Sequence, residues 1–103
     1  MIKAKKSLSQ NFLIDKNIAN KIVKQTKIEN KIIFEIGPGL GFLTDIILKK
    51  KPKRIILIEK DNLLARKLKE KYSDNKRVEI INKDILRYNI TEFKNIIVIS
   101  NLP

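Results

Sequence analysis

Apolar residues fall in four short blocks separated by polar, helix-patterned stretches. Ile32-Ile33-Phe34-Glu35-Ile36 is a five-residue run stopped by glycine, Arg54 to Glu59 a second run, Val78 to Ile81 a third and Ile96 to Ile99 a fourth. Runs of this length rich in β-branched residues read as strands buried on both faces. The stretches between them carry helical spacing. Leu43, Ile46 and Ile47 recur between Phe42 and Lys50, ahead of Pro52, and Leu64 and Leu68 face inward on a helix capped by Asp61 and running to about Tyr72. An earlier helix is expected from Asp15 to about Thr26, with Ile18, Ala19, Ile22 and Val23 on one face, behind a polar arm at residues 1–10. Glu29-Asn30-Lys31 and Ser73 to Lys76 read as turns. Strand and helix alternate throughout, which predicts right-handed crossovers and an α/β fold: a Rossmann-like parallel sheet with helices on both faces. A sheet stopping after the fourth strand would leave an apolar edge unpaired. The 103 residues are therefore expected to be the front part of a larger domain, with the rest of the sheet to follow.

Composition narrows the chemistry. The chain has no cysteine and no histidine, so a metal site is not expected, and acid–base work would fall to carboxylates, amides, hydroxyls and backbone. It has no apolar run of the roughly 20 residues a membrane span needs and no signal-peptide pattern, so a cytoplasmic location is expected. Lysine and arginine number 23 against 11 acids, a net charge of +12. An excess of that size points to a polyanionic partner, nucleic acid first. A compositional bias toward Lys, Ile and Asn is the competing explanation.

In an open parallel sheet, ligands bind beyond the carboxyl ends of the strands, and four polar features fall there. Gly37-Pro38-Gly39-Leu40-Gly41 follows the first strand and opens a helix, allowing a sharp turn and close backbone approach to a ligand. Phe42 stands where a dinucleotide-binding fingerprint needs Gly or Ala, which disfavours a pyrophosphate. A purely structural turn remains open for the loop alone. Glu59 ends the second strand and could accept two hydrogen bonds from vicinal ribose hydroxyls, or could simply face solvent. Asp84 follows the third strand and could accept from an adenine amine, or could cap the turn at Ile85-Leu86. Asn101-Leu102-Pro103 closes the fourth strand. Pro103 restrains Leu102 to an extended conformation, so the Asn101 amide oxygen and the Leu102 carbonyl could together grip an amine and aim its lone pair at an electrophile. A plain turn is the alternative.

Five stretches taken together resemble the ribosomal RNA adenine N6-dimethyltransferase family, and its KsgA-like small-subunit branch in particular. They are K-K-S-L-S-Q-N-F-L-I-D at 5–15, E-I-G-P-G-L-G-F-L-T at 35–44, I-E-K-D at 58–61, N-K-D-I-L at 82–86 and N-L-P at 101–103, in family order across the chain. The resemblance implies S-adenosyl-L-methionine as cofactor. Asn11 and Leu13 would contact its methionine end, with Gly37 and Gly39 beneath. Glu59 would hold the ribose, Asp84 the adenine, and Asn101 with Leu102 the target amine, Asn101 lying against the cofactor as well. It further implies dimethylation of two adjacent adenines near the 3' end of small-subunit ribosomal RNA, a role in small-subunit biogenesis, and a monomer. Ser9 and Lys60 depart from the family, which usually has Gly and an apolar residue there. The family's aromatic after N-L-P and its C-terminal helical domain do not occur in these residues, so the chain alone is expected to be inactive. Three other readings compete: a resistance methylase acting on large-subunit RNA, a nicotinamide-dependent oxidoreductase, and an assembly factor without catalysis.

Overall fold

The structure, a computed structural model, describes residues 26–88 and 96–100. The helix expected from Asp15 falls outside the described residues. Those described form one four-stranded sheet: β1 (Ile32–Ile36), β2 (Arg54–Ile58), β3 (Val78–Ile81) and β4 (Ile96–Ser100), every pairing parallel, in the order β3-β2-β1-β4. Helix α1 (Phe42–Leu48) connects β1 to β2, and α2 (Asn62–Lys71) connects β2 to β3. The chain thus steps outward from β1 through β2 to β3, then returns to pair β4 on the other side of β1. That reversal makes the gap between the carboxyl ends of β1 and β4 the topological switch point, where ligands bind in sheets of this kind.

Alternation along each strand divides the core. Ile33, Ile55, Leu57 and Ile99 face α1 and α2, packing with Leu43, Ile47, Leu68 and Tyr72. Phe34, Ile56 and Ile58 face the other way and are buried too, with Ile32, Ile81, Ile85, Tyr88 and Ile96 against them. Both helices among the described residues lie on the first face; on the second, Ile85 of a 3-10 turn at Ile85–Arg87 and Tyr88 pack against the sheet.

The hydrophobic pattern located β1 and β3 to the residue. Helix α1 ends at Leu48 rather than Lys50, because Lys51 turns into the left-handed region at φ 57°. Glu59 falls just outside β2, its backbone N–H still donating to the Ile81 carbonyl at 3.0 Å. On α2 the buried positions are Ala65 and Leu68, while Leu64 is half-buried.

Candidate cofactor site at the strand ends

The glycine loop leaves β1 through three left-handed residues, Gly37, Gly39 and Gly41. A β-carbon at Gly41 would lie 2.5 Å from the Tyr72 hydroxyl, so the position excludes a side chain on steric as well as torsional grounds. The loop is tied on two sides. From the sheet, the Gly37 N–H donates to the Ile58 carbonyl at 2.9 Å and the Gly39 N–H to Glu59 Oε1 at 3.2 Å. From the last turn of α2, Lys71 Nζ donates to the Leu40 carbonyl at 3.1 Å and to Asp45 Oδ2 at 2.8 Å. Beside it the Tyr72 hydroxyl donates to Asp45 Oδ1 at 2.6 Å, with the Gly41 carbonyl 3.1 Å away. Burial, reinforced by the Asp45 hydrogen bond and charge, pushes the Tyr72 phenol above its ordinary range, so it stays a donor.

Glu59 does not face solvent: it is 6% exposed. Its two oxygens accept one backbone N–H each, Gly39 at Oε1 and Asp61 at Oε2, the latter at 3.0 Å. A carboxylate has about four lone-pair sites, so two remain for a ligand. Burial raises its pKa, against the lowering effect of the Asp61 and Gly39 bonds. Asp61 in turn caps α2, accepting from the Leu64 N–H at 2.9 Å. Asn82 braces the same corner, its amide donating to the Glu59 carbonyl at 2.9 Å and the Lys60 carbonyl at 3.3 Å.

Asp84 takes the capping role weighed for it: its Oδ1 accepts from the Leu86 N–H at 3.0 Å. The role does not close the site, since a cap uses one oxygen. Asp84 also lines an open depression of about 760 Å³ with Lys60, Asp61, Asn82 and Arg87, between the ends of β2 and β3. Among the expected site residues, the fold therefore brings Gly37, Gly39, Glu59 and Asp84 to one end of the sheet. Asn11, Leu13, Asn101 and Leu102 lie outside the described residues. β4 ends at Ser100, in register with Ile36, the last residue before the glycine loop.

Glu35 carries no site role in the sequence reading, yet it is fully buried, with Thr44 Oγ1 donating to its Oε1 at 2.5 Å and its Oε2 without a hydrogen-bond partner. Burial, the nearby charges of Asp45 and Glu59 adding to it, pushes its carboxyl up to about 7 against the Thr44 bond. A carboxylate inside an otherwise apolar run, two residues before Gly37, is the available signal. The Lys71–Tyr72 clamp had none, because it joins positions 31 residues apart.

The family model described as ribosomal RNA adenine dimethylase matches residues 1–103. The ribosomal RNA small subunit methyltransferase A of Pelagibacter ubique is 51% identical over 104 residues, covering 99% of this chain and 39% of that protein. The crystal structure of a dimethyladenosine transferase from Plasmodium falciparum superposes with a TM-score of 0.74 at 27% identity, over 86% of this chain and 32% of that one. The 23S rRNA methyltransferase ErmE superposes with a TM-score of 0.66 at 27% identity, over 74% and 31%. Because the family model matches all 103 residues of the chain, the chain belongs to the ribosomal RNA adenine dimethylase family.

Proposed function

We propose that this chain is the front part of the methyltransferase domain of an S-adenosyl-L-methionine-dependent enzyme, one that dimethylates N6 of two adjacent adenines near the 3' end of small-subunit ribosomal RNA. The observation that carries the proposal is the bond from Gly39 N–H to Glu59 Oε1. It would lock a ribose acceptor and the loop beneath a methionine moiety into one unit, across the neighbouring carboxyl ends of β1 and β2. An S-adenosyl group fits this donor set: Glu59 keeps two lone-pair sites for vicinal hydroxyls, and Asp84 keeps an oxygen beside an open depression. Asn11 and Leu13 would complete the methionine end.

The cofactor supplies an electrophilic methyl on a sulfonium. The chain's own part is positional. The Asn101 amide oxygen and the Leu102 carbonyl would accept the two N–H bonds of the target amine, drawing its lone pair out of the ring and toward the methyl. No histidine is required for this, because the amine sheds its proton only once it has become cationic. Small-subunit RNA is preferred to large-subunit RNA because the relatives at 40–51% identity are named small subunit methyltransferase A. Family membership displaces the oxidoreductase reading. Catalysis is preferred to an assembly role alone because Glu59, buried and fixed by two backbone N–H bonds, keeps acceptor capacity that a ligand could use. The enzyme would act as a monomer in the cytoplasm; among the described residues no helix is long and apolar enough to cross a membrane.

Primer extension on ribosomal RNA from a strain lacking the gene tests the reaction. The reverse-transcriptase stop at the paired small-subunit adenines should vanish, and its persistence would overturn the assignment. Calorimetry on the full-length protein should show binding of S-adenosylhomocysteine but not of NADH.

A further inference from the structure

The amino ends of the strands, opposite the cofactor site, carry a dense cationic rim. Five of the six residues from Lys49 to Arg54 are basic. Backbone bonds draw further cations into the same edge. The Lys53 N–H donates to the Lys31 carbonyl at 2.8 Å, and the Ile55 N–H to the Arg77 carbonyl at 2.8 Å. Lys31, Lys49, Lys50, Lys51, Lys53 and Arg77 are all exposed. Among the described residues the ion pairs are Arg54 with Glu79 and Lys71 with Asp45, so none of these six is neutralised by a carboxylate there. Lysines at the end of α1 would be favoured by the helix dipole whatever their function. Lys51 is harder to explain that way. It adopts φ 57°, a region where Gly or Asn is the economical choice, and the adjoining left-handed residue, Asn30, obeys that rule. The chain keeps a cation at Lys51 despite an unfavourable backbone.

We propose that this edge is a second RNA-binding face, contacting the phosphodiester backbone of a ribosomal RNA segment other than the one that presents its adenine to the cofactor site. The proposal rests on the RNA-modifying reading above. A five-residue strand is roughly 16 Å long, so the two faces lie further apart than the Debye length of about 10 Å at 0.1 M salt. A nucleotide in the cofactor site cannot reach the lysines, and the lysines do little for a cofactor at the far end. Only a folded RNA large enough to pass along the protein engages both, which suits a structured subunit RNA better than a short strand. Clustered exposed cations without directional partners read backbone charge rather than sequence.

The test uses full-length protein with Lys49, Lys50 and Lys53 replaced by Gln, bound to deproteinised small-subunit ribosomal RNA over a range of salt. A second variant, with Arg66, Lys67 and Lys69 on α2 replaced by Gln, removes equal charge elsewhere. The rim variant should lose about tenfold or more in affinity near 0.1 M salt, and its salt slope should flatten by about 2–3. Its affinity for S-adenosylhomocysteine should equal wild type, and the α2 variant should lose much less RNA affinity. Equal losses in both variants would reduce the effect to net charge and overturn the proposal. Wild-type RNA binding by the rim variant would overturn it while leaving the proposed function intact. If that variant bound naked RNA normally but assembled subunits weakly, the face would belong to an acidic protein instead. A wild-type protein with no salt-dependent affinity for the RNA would sink both the proposal and the reading beneath it.

Discussion

Glu59, just past the carboxyl end of β2, is buried and accepts two backbone N–H bonds, whereas Lys53, just before the amino end of the same strand, is exposed and joins no ion pair among the described residues. The contrast extends across the sheet. At the carboxyl ends Glu35, Glu59 and Asp84 each hold a hydrogen bond from Thr44, from two loop amides or from Leu86. At the amino ends Arg54 pairs with Glu79, while Lys31, Lys53 and Arg77 are exposed and join no ion pair among the described residues. A buried acceptor fixed before its ligand arrives costs folding stability but can discriminate geometry. A solvated lysine costs little, is screened by salt and discriminates only charge. The first arrangement suits the small cofactor proposed above, and the second the proposed contact with an RNA backbone.

Asn101 gives the largest expected effect at the carboxyl end. Asn101→Ala in the full-length enzyme should lower kcat by about 10²–10³, the usual consequence of losing one preorganised group that acts on developing charge. Cofactor affinity should change less, because the proposed bond to the target would strengthen as its nitrogen becomes tetrahedral. Single-turnover methylation of subunits lacking the modification would read this directly. A rate near wild type would reduce Asn-Leu-Pro to a turn.

Glu35 comes next, with an effect on stability. Its carboxyl sits at about 7 in the folded protein and at about 4.5 when exposed, so the folded state holds the proton more tightly. Folding is then favoured below the unfolded value and weakens as pH rises toward the folded one. Between roughly pH 4.5 and 7 this group alone should remove about 3 kcal/mol. Urea melts of wild type and Glu35→Gln at several pH values isolate the contribution. The difference between the two proteins should grow steadily in favour of Gln up to about pH 7. A difference independent of pH would mean that Glu35 remains charged, stabilised by something beyond Thr44.

What was legible in the sequence follows the same division. Strands β1 and β3 could be placed because burial on both faces leaves an unbroken apolar run, stopped by Gly37 in one case and preceded by a turn in the other. Gly37, Gly39, Glu59 and Asp84 could be expected at one end of the sheet because topology alone puts the carboxyl ends of parallel strands together. The partners of those residues could not. Thr44 under Glu35, and Lys71 and Tyr72 against Leu40 and Gly41, depend on how a helix is rotated against its neighbours, which no local pattern encodes. Likewise a run such as Lys49-Lys50-Lys51 announces charge but not which end of the sheet will carry it.

Glu59 gives a smaller effect than Asn101 because its work lies in binding. Glu59→Ala removes the acceptor proposed for two ribose hydroxyls, and hydrogen bonds to a charged group are worth about 1.5–3 kcal/mol. S-adenosylhomocysteine affinity should fall tenfold or more by calorimetry. The variant also frees the Gly39 and Asp61 amides. Glu59→Gln separates the two roles, since its amide oxygen can keep one backbone bond while its NH2 cannot accept from a ribose hydroxyl. Gln should therefore restore folding better than it restores affinity. Equal affinity for Gln and wild type would show that Glu59 only braces the loop.

The smallest expected effect lies at the amino end. Lys51 at φ 57° carries the strain of a β-carbon in the left-handed region, about 1–2 kcal/mol for an ordinary residue. Asn visits that region more readily, because its short polar side chain can bond locally. Against the relief stands the loss of a cation near the end of α1, worth about 0.3–1 kcal/mol at low salt. Lys51→Asn should come out ahead by roughly half a kcal/mol, and further ahead as salt screens the lost charge. Gly is the poorer probe, since its added freedom in the unfolded chain offsets the same relief. Denaturant midpoints of the full-length protein in low and high salt measure the difference. If Lys51→Asn is less stable than wild type in high salt, Lys51 is held by a contact rather than kept for its charge, and the contrast between an ordered end and a solvated end fails at the residue where it is most exposed to refutation.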